Sequence, residues 1–280
     1  EYCDNTFRDY LIQTSNFRII GDINSCSEID ASAFTTLWYT GELKLLTDSS
    51  LDYNYDVDWG DGNVSTGVTG DVSHNYDSID NYEVKITGQF PYFKNSISGF
   101  DSEIIYTNSK LISILNWGNI NWESFRDTFG GLNGLSINAS DNPNLSEVNN
   151  LDNMFGGATF YKDYDFGKWN ISNVQSAVNF ANYLSVNSYD NLLKGWSNQD
   201  LKTNVAFSVG AYYCDENSRA ILTDLFGWEI TDWGLSSNCD SNLSVDNLLK
   251  QENYIYPNPT YSKMFLNYSN YKSFSVYDLN

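Results

Sequence analysis

His74 is the one histidine in the chain, so any Ser–His–Asp or Cys–His arrangement would have to be built around it. It stands in His74-Asn75-Tyr76, and no HExxH, GxSxG or Walker-type loop accompanies it. Glycoside hydrolysis needs only two carboxylates at a set separation. With 36 acidic residues, however, local pairs such as Asp163 and Asp165 arise by chance and select no site. The expectation is therefore a protein without catalysis. A sharper carboxylate group is Asp56, Asp58 and Asp61 around the Trp59 turn. On a strand Asp56 and Asp58 point to the same side, and Asp61 falls in the following turn. Oxygen ligands of this kind suit Ca²⁺, the one cofactor the sequence suggests. The same acids at a sheet edge would also keep strands of neighbouring molecules from pairing. The stretch from Asp22 to Glu28 is acidic too but fails as an EF-hand. Counted from Asp22, Cys26 and Ala33 stand where a ligand and the bidentate glutamate are required.

Four cysteines form two sequence-local pairs, Cys3 with Cys26 and Cys214 with Cys239, neither with CxxC spacing. An even count in an acidic chain rich in Asn, Ser and Tyr suits disulfides and an oxidising compartment, the alternative being buried or free thiols. A Cys214–Cys239 bridge would stabilise by roughly 3 kcal/mol in the loop-entropy description.

Charge narrows the partners. Lys plus Arg is 15 against 36 Asp plus Glu, a net −21. A field of that sign repels phosphate backbones and anionic membrane surfaces, so nucleic acid is not expected as a partner. No apolar run is long enough to span a bilayer, and the chain opens at Glu1 with no Met or signal-like stretch, as a mature product or a fragment would. Aromatic residues reach 16 %, with 21 Tyr, 16 Phe and 8 Trp, as a core or as ligand anchors.

The elements that would position these residues are organised by a repeat of 26 residues between Asn116 and Leu184. Trp122, Val148 and Val174 are equivalent, followed in register by Phe125, Leu151 and Ala177, then Phe129, Phe155 and Ala181, then Leu132, Ala158 and Leu184. Apolar steps of 3, 4 and 3 within each unit predict one short amphipathic helix per unit. Gly130-Gly131 and Gly156-Gly157 would close two of them with a left-handed residue. Units of this kind bury their apolar faces only by stacking, which makes a solenoid and favours recognition over catalysis. Trp122 sits on the core-spaced face. Trp117 and Trp169, with Pro143, mark the turns between units, and these two indoles are the candidate ligand contacts.

Outside the repeat, residues 1–35 hold a helix candidate from Thr6 to Thr14, read as an N-terminal cap. Residues 36–95 alternate as half-buried strands do: Leu43 and Leu45; Tyr53, Tyr55, Val57 and Trp59; then Tyr82, Val84 and Ile86. After Leu184, Tyr189, Leu192, Leu193 and Trp196 give a helical face, and Val205 with Phe207 a strand. Asp215 caps a helix holding Ile221, Leu222, Leu225 and Phe226, which Gly227 ends. Trp228 to Leu235 reads as a closing strand, within a repeat region of 100–240. A polar linker, 241–253, leads to short strands in 254–280.

Three resemblances rest on these residues. Val57-Asp58-Trp59-Gly60-Asp61-Gly62, then His74-Asn75-Tyr76, then Tyr82-Glu83-Val84-Lys85-Ile86 resembles the core of PKD-type immunoglobulin-like modules. Phe166 to Val174 and Asn153-Met154-Phe155-Gly156-Gly157 resemble the turn and helix end of BspA-like leucine-rich-repeat surface proteins, whose repeat is also 26 residues. Here only three clear repeats occur, and Ala177 and Ala181 replace larger core residues in the third. Tyr256-Pro257-Asn258-Pro259-Thr260 and the strands after it resemble the C-terminal sorting domain of type IX secretion substrates, stopping in mid-pattern as a truncated domain would. Together they imply a multidomain α+β chain. A PKD/Ig-like β-sandwich (36–95) would be followed by a short leucine-rich-repeat-like α/β solenoid (100–240) and a small, incomplete C-terminal β module (254–280). They further imply an adhesion protein at the extracellular, outer-membrane surface of a Gram-negative bacterium. Its partners would be a host or matrix glycoprotein, another cell surface or a polysaccharide. The alternative is an accessory carbohydrate-binding region of a polysaccharide-degrading enzyme.

Overall fold

The computed structural model describes residues 31–94 and 111–239, with the backbone of residues 255–256 and 265–266. The chain divides into two compact units, Glu1–Ser236 and Ser237–Asn280. The described residues are mostly strand and stacked turn, with few helices. None of those helices is long and apolar enough to cross a membrane. The Thr6–Thr14 helix candidate, the Asp22–Glu28 stretch, Cys3 and Cys26 lie outside the described residues.

The first unit begins with four antiparallel strands: β1 (Phe34–Leu45), β2 (Asn54–Asp58), β3 (Val64–Val68) and β4 (Val72–Gln89). In β2 the alternation is direct: Tyr55 and Val57 are buried while Asp56 is exposed. Strand β5 (Leu111–Asn116) pairs antiparallel with β1. It also pairs in parallel with β6 (Ser136–Ile137), joining Ser113 to Ser136 and Ile114 to Ile137. The six strands make one sheet in the order β3-β2-β4-β1-β5-β6. The expected boundary between 36–95 and 100–240 is thus crossed by strand pairing, and one sheet stands where two facing sheets were expected. The core is shared as well: Phe34 lies edge-on to Trp122 at 5.0 Å, and Phe93 to Phe129 at 6.2 Å.

The repeat is real, but its units are not helices. Asp127, Phe129 and Gly131 donate their N–H groups to the carbonyls of Asp152, Met154 and Gly156, and Leu151, Asn153 and Phe155 donate to Ser176, Val178 and Phe180. Backbone donors that a helix would use internally are spent on the next coil. The backbone itself forbids the helix. Asp127, Asn153 and Asn179 all have φ between 53° and 57° at one position of the repeat, and Gly131, Gly157 and Tyr183 have φ of 72°, 71° and 59° four residues later. Asn and Asp tolerate the left-handed region through short polar side chains, so the 3-4-3 apolar spacing is wound into a turn-rich coil. The side chains extend the ladder: Asn179 Nδ2 donates to Asn153 Oδ1 at 2.8 Å. In the third unit β7 (Ser176–Asn182) forms, and Phe180 is buried there with its ring 5.3 Å from that of Phe166 and 5.5 Å from that of Trp196.

Beyond it follow α1 (Val186–Ser197), β8 (Ala206–Gly210), α2 (Glu216–Ala220) running into a π turn (Ile221–Leu225), and β9 (Glu229–Thr231). Ser185 caps α1 by accepting from Ser188 N, and Asp215 caps α2 by accepting from Ser218 N. Strands β7, β8 and β9 form a parallel sheet in that order. In the second unit β10 (Ile255–Tyr256) pairs antiparallel with β11 (Phe265–Leu266); the rest of 241–280 lies outside the described residues.

Candidate functional site

The singled-out residues that fall within the described part of the chain each have a defined place. Trp117 and Trp169 are both 0 % exposed and meet edge to face at 5.5 Å. Trp169 Nε1 donates to Tyr164 Oη at 3.2 Å. A turn residue need not face solvent: here the coil turns inward, and its two indoles become core. Their assignment as ligand contacts is corrected accordingly. The carboxylates of Asp56, Asp58 and Asp61 do not converge either. Asp56 Oδ1 accepts from Gly67 N at 2.7 Å, Asp58 Oδ1 from Gly60 N at 2.9 Å, and Asp61 from Asn63 and His74. Asp58 closes its own turn, Asp56 ties β2 to β3, and Asp61 ties its turn to His74 on β4; no group of three metal-ligating side chains forms among the described residues. Cys214 and Cys239 are disulfide-bonded.

The Trp59-Gly60-Asp61-Gly62 turn and the His74-Asn75-Tyr76 strand make one structural clasp. His74 Nε2 lies 2.7 Å from Asp61 Oδ2 with its ring stacked on Trp59 at 5.0 Å, and Tyr76 Oη donates to Trp59 O at 3.0 Å. Burial pushes the Asp61 carboxyl up, but hydrogen bonds from His74 and Asn63 outweigh it and hold the group below the usual carboxylate range. His74 thus joins the Trp59 turn to β4.

A second polar cluster lies between α1, α2 and β9. Asp232 Oδ2 accepts from Tyr189 Oη at 2.9 Å and from Arg219 Nε at 2.8 Å, while Oδ1 accepts from Gly234 N. Burial and the neighbouring Asp232 charge push the Tyr189 phenol up, so it stays protonated and donating. The Asp232 side chain is 4 % exposed with both oxygens occupied. The cluster joins three elements.

What does face solvent is a row of aromatic rings that the sequence reading did not single out. Tyr183 follows the end of β7, Tyr212 lies two residues past β8, and Trp233 two residues past β9. They therefore stand at the same end of three neighbouring parallel strands. The Trp233 ring is 6.0 Å from that of Tyr183 and 5.3 Å from that of Tyr212, both edge to face. Gly210 lets the indole lie across β8: a Cβ there would come within 3.3 Å of the Trp233 ring. Tyr183 and Tyr161 also line an open cleft of about 220 Å³ with Lys162, Asp163, Ser185 and Ser188. The four rings are 77 % (Tyr161), 64 % (Tyr183), 48 % (Tyr212) and 48 % (Trp233) exposed. The cleft falls below the ~300–1,000 Å³ of an enclosing ligand pocket, so it is a groove beside a platform. A signal was present in the sequence: Tyr183 occupies the repeat position that is glycine at 131 and 157.

Compared with known proteins, the chain matches no family model, no curated protein and no solved structure.

Proposed function

We propose that the chain is a secreted cell-surface binding protein without catalytic activity, built from a PKD-like sheet region, a short leucine-rich-repeat-like solenoid of the BspA kind and a type IX sorting module. It recognises a glycan or protein ligand outside a Gram-negative cell. The exposed aromatic rings, Tyr183, Trp233 and Tyr212 in a row with Tyr161 lining the adjoining cleft, carry this reading, because Tyr and Trp provide rigid, amphipathic contact area at small entropic cost, and exposed apolar groups in a cluster mark contact surfaces. Parallel pairing of coils one repeat apart supports the solenoid reading. The clasp of Trp59, Asp61, His74 and Tyr76 supports the PKD-like one. The same rings fit the second reading, an accessory carbohydrate-binding region of a polysaccharide-degrading enzyme. A catalytic domain in the same full-length chain would select it.

The test incubates the purified chain with immobilised polysaccharides and host glycoproteins and follows both retention and soluble product. Retention without product is expected. Release of oligosaccharide or peptide would overturn the non-catalytic reading, and absence of retention on every surface would overturn binding.

A further inference from the structure

The backbone at Tyr183 is the most informative feature of the aromatic row. Its φ is 59°, at a repeat position held by Gly131 and Gly157 in the two preceding coils. An L-residue with a large side chain is strained there relative to an ordinary conformation, and such outliers cluster at ligand-contacting positions. The cost is not recovered by burial, since most of the ring is exposed. Its contacts are the cleft on one side and the Trp233 edge on the other. Glycine would serve the fold equally well at this position, and what tyrosine adds is a presented ring.

Size and charge choose the occupant. An aromatic side chain offers about 150–250 Å² in full, so these four residues, two just under half exposed and two well over, offer on the order of 400–500 Å². A stable protein interface needs about 800 Å² from each partner. The exposed ring area alone falls short of that, and an area of this size suits a single polymer chain. A pyranose ring presents an apolar C–H face and a polar rim. The platform presents aromatic rings, with the Ser185 and Ser188 hydroxyl side chains in the adjoining cleft. The chain carries −21 overall, and the only charged side chains lining the cleft are Lys162 and Asp163, which offset each other. An anionic polymer would be repelled at long range.

Resting on the reading of this chain as a binding protein, we propose that the face of Tyr161, Tyr183, Trp233 and Tyr212 is a binding site for a neutral polysaccharide. The glycan crosses β7, β8 and β9, stacking on Tyr183, Trp233 and Tyr212, with a terminal or branching sugar in the cleft beside Tyr161.

The test is titration calorimetry and affinity electrophoresis of the whole chain with laminarin, xylan and mannan as neutral probes. Alginate is the anionic probe, and a glycoprotein is used before and after enzymatic removal of its glycans. Tyr183→Gly keeps the left-handed turn of the preceding coils, so its melting temperature should be no lower than the parent's. Trp233→Ala removes the central ring. At least one neutral polysaccharide should bind, each variant should weaken it about tenfold or more, and alginate should be weaker. Binding of a neutral glycan that neither folded variant weakens would overturn this site. Retention of the deglycosylated protein, lost in the same variants and with no glycan bound, would overturn the glycan assignment while leaving the binding reading intact. No binding to any probe would overturn both.

Discussion

Replacing Gly195 by alanine tests the docking that positions the cleft. Gly195 lies inside α1, where alanine ordinarily stabilises by up to about 1 kcal/mol over glycine. In this fold the sign should reverse. A methyl group at Gly195 would sit within 2.5 Å of the Gly167 carbonyl carbon, in the 3-10 turn Phe166–Lys168. The obstructing atoms are backbone and cannot rotate away. Forcing helix and turn apart costs about 1–3 kcal/mol as overpacking. It also strains the buried bond from Trp196 Nε1 to Phe166 O at 2.9 Å, whose loss costs about 1–3 kcal/mol. After the helix-propensity gain is set against these, the expected net is a destabilisation of about 2 kcal/mol. For a unit of this size that is a fall in melting temperature of roughly 4–8 °C. Thermal unfolding followed by calorimetry and near-ultraviolet circular dichroism reads it directly, since Trp196 and Trp228 lie close together (ring centroids 6.3 Å) and should report the shift. Asn191→Ala, an exposed position on the same helix, serves as control and should gain about 0.5 kcal/mol from propensity alone. If Gly195→Ala were as stable as the parent or more so, helix and turn would not touch, and the cleft resting on them would be wrongly built.

Two further outcomes follow from the site description. Trp169→Ala should cost about 3–5 kcal/mol, measured by denaturant unfolding, because it empties a core position; a variant that melts with the parent would return this indole to the surface. Asp61 has a folded-state pKa below its ordinary value, so its contribution is complete above the ordinary carboxylate pKa of about 4 and lost as pH falls through the lower, folded value. The melting-temperature gap between the parent and Asp61→Asn should therefore be largest above pH ~4 and close in stronger acid, and a gap constant across the acid range would refute the clasp.

From sequence alone the 26-residue period, the helix of Tyr189 to Trp196, the Asp215 cap and the strands at 53–59 and 82–86 could be read. Their signals are local: apolar periodicity, capping side chains and turn residues act within one element. So did the clasp around His74, where the order of Trp59, Asp61, His74 and Tyr76 placed the histidine within the fold. The reading failed where partners came from another coil. Steps of 3, 4 and 3 fit a helix, but a left-handed Asn or Asp in each unit and donors satisfied one coil away made turns instead. Trp117 and Trp169 occupy turns two repeats apart, and only the stacking of coils brings their rings together inside the core. Of the aromatic row only Tyr183 left a sequence signal, by standing at a glycine position of the repeat, and the row as a whole could not be read for the same reason. Tyr183, Tyr212 and Trp233 are separated by unequal stretches of chain, and no spacing rule links them. Parallel pairing of β7, β8 and β9 aligns the ends of the three strands and sets those rings side by side.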